Sequence, residues 1–132
     1  MEKFNSQICT TREQSERLLA LGLKKETADM WRVFLVGGET LVPTEEVDLY
    51  NFYVEPIPAW SLHRLIEMMP QIIGHLELAV NDAFVGYYED RCESETGMYW
   101  EHTEESSNLY DNIIDCIEWL IKEGYFNKEY LV

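Results

Sequence analysis

The chain is predicted to form an α+β fold, with a mainly antiparallel sheet of four to six short strands packed against two or three helices. The sheet comprises a hairpin plus a three-stranded meander, and a long helix closes the chain. Three stretches carry this prediction. From Ser106 to Phe126, Leu109, Tyr110, Ile113, Ile114, Ile117, Leu120 and Ile121 recur at three- and four-residue steps, which places them on one wide helical stripe. From Met30 to Val42, two runs of β-formers flank Gly37-Gly38, a two-residue hairpin signal. From His75 to Thr103, alternating apolar and polar residues are broken by Asn81-Asp82, a tight-turn pair. At 132 residues, the length fits a single domain, 1–132, with one core.

Taken in order, residues 1–9 are expected to be loosely held. Thr10-x-x-Glu13 and Thr11-x-x-Gln14 are alternative capping boxes for a helix to about Leu21, which Gly22 ends. Its apolar side is thin, chiefly Leu18, Leu19 and Leu21. After the hairpin, Pro43 to Trp60 is the least regular stretch, because Pro43, Pro56 and Pro58 each remove a backbone donor. Its four acids suit a solvated loop, and the alternation of Tyr50, Phe52 and Val54 would suit a short edge strand. Ser61 caps a short helix, Leu62 to Met69, with Leu62, Leu65, Ile66 and Met69 inward and Pro70 as its stop. Trp60 and Leu65 have the spacing of a hydrophobic staple. In the last helix Ser107 or Asn108 caps the start and Gly124 stands at the left-handed position after the end.

Charge narrows the function classes. The net charge is −15, and it is unevenly spread. Met1 to Arg32 carries six bases and five acids, whereas Val33 to Ile121 carries eighteen acids against Arg64 and Arg91 alone. Such a surface repels phosphates and anionic lipid heads, so direct nucleic-acid or membrane binding is not expected. No apolar run is long enough to span a bilayer, and the N-terminal stretch has no apolar signal core. Cys9, Cys92 and Cys116 are odd in number and lack CxxC spacing, which fits free thiols in the cytoplasm.

No chemical constellation stands out. His102 and Glu104 would share a strand face, with Glu101 and Glu105 beside them, but a metal site needs at least three converging ligands. Cys92 follows Arg91, yet Asp90, Glu93 and Glu95 oppose any lowering of its pKa. Gly37-Gly38 belongs to no phosphate-loop pattern. Catalytic, cofactor-binding and metal residues are therefore not assigned. The candidate partner-binding residues are Tyr87, Tyr88, Glu89, Asp90, Glu93, Glu95, Tyr99 and Trp100, an aromatic group rimmed by carboxylates. Alternation sends part of this group into the core: either Tyr88 with Phe84, or Tyr87 with Val85, faces outward.

Thr11 to Leu19 with Ala28-Asp29-Met30, Pro58 to Leu62 with Leu65-Ile66 and Pro70, and Asn108 to Asp111 with Trp119 to Ile121 together resemble a group of small proteins. These are found in Bacteroides-type gut bacteria and in phage or prophage segments, without an assigned activity. The resemblance implies a small intracellular α+β domain of mobile-element origin, and it carries over no catalytic residue. The resulting expectation is a non-enzymatic interaction domain with a basic protein partner, either a monomer or a weak homodimer. Two alternatives are a DNA mimic that occupies a basic groove and a small hydrolase built on a carboxylate and a histidine, His75 or His102.

Overall fold

Thr11 decides where the first helix begins. Its hydroxyl accepts a hydrogen bond from the Gln14 amide at 3.2 Å, and the Gln14 side chain accepts one from the Thr11 amide at 3.0 Å. This reciprocal box satisfies two otherwise orphaned donors. The computed structural model of the protein describes residues 7–49, 54–81, 84–90, 98–106 and 108–132, with backbone alone at 48–49, 90 and 98–101. Helix α1 spans Arg12–Ala20, and Gly22 turns the chain away at φ 103°. Thr10, the rival cap, is buried: its hydroxyl pairs with that of Ser15 at 2.8 Å and accepts from the Trp60 amide at 3.0 Å.

The chain divides into two compact units, Met1–Leu65 with Tyr130–Val132, and Ile66–Glu129. In the first unit, strands β1 (Met30–Leu35), β2 (Gly38–Pro43) and β3 (Ile57–Ala59) form an antiparallel sheet in the order β2-β1-β3. Leu35 pairs with Gly38, so the hairpin loop is Val36-Gly37, one residue earlier than the glycine pair suggests. The glycine that the turn requires is Gly38, at φ 124°, which already belongs to β2. β3 contains Pro58 and is tolerated because it is an edge strand. Thr44–Leu49 forms a 3-10 helix where a loop is expected. Tyr50 and Phe52, the proposed alternating strand, lie outside the described residues.

Leu18, Val33, Ala59, Trp60 and Leu65 are fully buried in this unit. Trp60 is its polar hub as well: its indole N–H donates to the Thr27 hydroxyl at 3.0 Å, and its carbonyl accepts from the Thr10 amide at 2.9 Å. Cys9 is also buried, 1 % exposed, so the expected looseness does not extend to it. Arg32 Nη2 donates to the Thr10 carbonyl at 2.6 Å and lies 3.5 Å from the Cys9 sulfur, pinning that segment. The chain's last residues return here: the Lys24 amide donates to the Tyr130 carbonyl and the Val132 amide to the Gly22 carbonyl, both at 2.8 Å, around a bridge between Leu23 and Leu131.

Helix α2, Leu62–Met68, carries the chain from the first unit into the second. There β4 (Ile72–Ile73), β5 (Leu76–Val80), β6 (Phe84–Asp90) and β7 (Met98–Glu105) form an antiparallel sheet in chain order. The meander is thus as the alternation predicts, with a short extra strand before it. Val85 and Tyr87 are fully buried, which makes Phe84 and Tyr88 the outward pair. Gly86 is where β6 and β7 press together: a side chain there would run into the His102 carbonyl and meet Thr103 Cγ2 at 2.8 Å.

Helix α3, Leu109–Glu123, packs on β6 and β7. Its stripe is buried at Tyr110, Ile113, Ile114, Ile117 and Leu120, while Glu118 and Lys122 are exposed. Each fully buried isoleucine or leucine contributes roughly 1.5–3 kcal/mol of transfer free energy. Asn108 caps the start by accepting from the Asp111 amide at 3.2 Å, and Gly124 ends it at φ 81°. No helix among the described residues is long and apolar enough to cross a membrane.

Candidate functional site

In the second unit, α3 and β7 bring polar side chains together through two different periodicities. On β7, His102 and Glu104 stand two residues apart and share a face. On α3, Asp115, Glu118, Trp119 and Lys122 follow the steps of three and four that align side chains along a helix. These six residues line a groove of about 260 Å³.

Trp119 is its floor plate. Its indole lies parallel to the His102 imidazole, with centroids 4.2 Å apart and planes 9° apart. The Tyr87 ring is tilted against it at 5.9 Å and the Tyr125 ring at 5.8 Å. His102 Nε2 is 2.8 Å from Glu104 Oε1, and both side chains are mostly covered, at 20 % and 29 % exposure. The imidazole is therefore fixed by stacking on one plane and by a carboxylate at one nitrogen. Beside these groups Cys116 is fully buried, and its thiol is pushed up to about 12 by burial and then by Glu104 and Asp115. A thiol so protonated is no nucleophile.

The chemistry available is recognition of a positive group. Three carboxylates and an indole can take up an ammonium or guanidinium. Among the described residues, no group of three or more His, Cys, Asp or Glu is arranged to hold a metal ion. A larger depression, about 480 Å³, is lined by Ile66, Gln71, Ile72, Glu77, Leu78 and Val80 and offers a single ionisable group.

The residues singled out from sequence are only partly brought to a surface. Tyr87 has to be removed from the partner-binding set: it is 0 % exposed, and its hydroxyl donates to the Pro70 carbonyl at 2.6 Å. Its inward direction follows from the alternation that buries Val85 two residues before it. Tyr88 is half-buried on the opposite face, its hydroxyl 3.3 Å from the Glu77 carboxylate, and Glu89 is half-buried. Glu93 and Glu95 lie outside the described residues, as do the side chains of Asp90, Tyr99 and Trp100. His63 and His75 are exposed and line neither depression. Trp119 and its acidic helical neighbours are not foreseen as a site. The signal available was an indole placed among Asp115, Glu118 and Lys122, on the polar flank of an otherwise aliphatic stripe.

Comparison with known protein families, curated proteins and solved structures returned no match.

Proposed function

We propose that this protein is a non-enzymatic interaction domain that receives a basic protein partner in the groove between α3 and β7. One observation supports this reading above the others. Trp119, stacked on His102, stands with Glu104, Asp115 and Glu118 around a cavity the size of one or two side chains. A lysine or arginine entering there exchanges water for carboxylates and a ring quadrupole. The acidic stretch from Val33 to Ile121 would speed encounter with such a partner. The cytoplasm suits the domain, since Cys9 and Cys116 are both buried free thiols.

Titration with an arginine-rich peptide, followed by calorimetry and by the Trp119 indole N–H resonance, tests the reading. Binding should move that resonance and weaken as salt rises. It should also weaken in the triple variant Glu104→Gln, Asp115→Asn, Glu118→Gln. Duplex DNA should leave the resonance in place. Equal binding by the triple variant and the native chain would overturn the proposal.

A second reading rests on the 2.8 Å pairing of His102 with Glu104, which could orient the imidazole to activate water in a hydrolase. Turnover of an activated ester that vanishes in His102→Ala would favour it.

A further inference from the structure

β7 sits at the margin of its sheet. Among the described residues it pairs with β6 alone, so its outer edge meets no strand. The element is eight residues long, Met98–Glu105, which at about 3.3 Å per residue presents roughly 25 Å of backbone donors and acceptors. The opposite margin, β4, has two residues. Exposed edges are usually blunted by lysine, proline or a bulge. β7 contains no lysine or proline, and its one irregularity is the extra residue Glu101, opposite Tyr87/Tyr88, which leaves His102–Glu105 in unbroken register along the edge. What β7 does carry is Glu101, Glu104 and Glu105 without a base. Carboxylates along the edge disfavour pairing with a second copy of the same strand and favour a strand of opposite charge.

We infer that the partner is an extended basic segment that adds to the second unit's sheet as a strand alongside β7. The inference rests on the groove reading above and specifies the form of the ligand. In such a pairing, partner side chains stand beside His102 and Glu104 at about 4.5–5.5 Å between Cβ atoms, on the face that Trp119 occupies. Alternate residues of the partner point the same way, so the recognised pattern is basic residues at every second position. A helix with bases at three- and four-residue steps matches the groove's charge but cannot use the strand edge.

The test uses the full chain and a peptide alternating arginine and threonine. Two further copies carry N-methyl groups on alternate amides, one in each register, which leaves charge unchanged and blocks one edge at a time. The readouts are amide hydrogen exchange of His102 to Glu105 and the Trp119 indole resonance. The parent peptide should slow exchange along β7 and move the indole. One N-methyl register should bind about tenfold more weakly or worse, and the other should bind like the parent. If both N-methylated peptides bind like the parent while the indole moves, strand addition is overturned and the groove reading survives. If no peptide moves the indole, the groove reading falls and this inference falls with it.

Discussion

Ser61 holds Asp29 by two hydrogen bonds: its amide donates to one carboxylate oxygen at 2.8 Å and its hydroxyl donates to the other. The same hydroxyl accepts from the Arg64 amide at 3.2 Å, the N-cap bond of α2. One side chain therefore starts a helix and ties it to the residue preceding β1. Ser61→Ala removes both bonds of the hydroxyl, leaves the main-chain bond to Asp29, and should destabilise the protein by about 1–2 kcal/mol. An unmoved urea midpoint would show that neither bond matters. Trp60→Ala should cost more, about 3–5 kcal/mol, since it empties a fully buried site and removes the indole's hydrogen bond to the Thr27 hydroxyl.

On α3 the buried and exposed sides separate cleanly. Ile117 is 0 % exposed, so Ile117→Ala should cost roughly 2–5 kcal/mol. Glu118, one residue on, is exposed, and Glu118→Ala should stay within about 0.5 kcal/mol. Chemical denaturation of the two variants side by side checks the face assignment. Similar midpoints would refute it.

That helix was the most legible part of the chain, because many turns repeat one pattern and both ends carry their own signals in Asn108 and Gly124. Short elements gave weaker guidance. Pro58 argues against a strand, and only its place at a sheet edge makes β3 permissible. Thr10 and Thr11 are equivalent as sequence, and what separates them is the distant Trp60 amide that claims the Thr10 hydroxyl. The groove was hidden for a related reason. His102 and Trp119 are apart in sequence, and their stacking depends on how α3 settles across β7. Local periodicity shows that Tyr87 or Tyr88 must point inward, but which one follows only from the register.

Gly86 was not singled out from sequence, yet its neighbours leave no room for a methyl group. Gly86→Ala must push β6 and β7 apart against backbone, not against a flexible side-chain tip. A loss of about 2–4 kcal/mol is expected, in the range of overpacked sites. Thermal denaturation of the variant measures it, and a melting temperature within error of the native protein would contradict the close approach.

Cys116 makes stability depend on alkaline pH. Its folded-state pKa lies near 12, above the ordinary value of 9.0, owing to burial first and then to Glu104 and Asp115. The raised value means that the full contribution is present below about pH 9 and is lost as pH climbs towards 12. Burial shifts Tyr87 in the same direction. The thiol's share of the slope can reach about 1.4 kcal/mol per pH unit in that window. Urea midpoints measured from pH 8 to 11 should fall less steeply for Cys116→Ala than for the native chain. Parallel slopes would assign the alkaline loss to other groups.

The bridge between Leu23 and Leu131 affects the order of events during synthesis. A ribosome delivers α1, the hairpin and β3 first, then the whole Ile66–Glu129 unit, and only afterwards Tyr130–Val132, whose backbone is bonded to Gly22 and Lys24. Gly22 and Lys24 thus receive these hydrogen bonds from residues made only after the whole Ile66–Glu129 unit. Until Tyr130–Val132 emerge, those backbone groups await their partners, so the first unit is sealed after the second has been made.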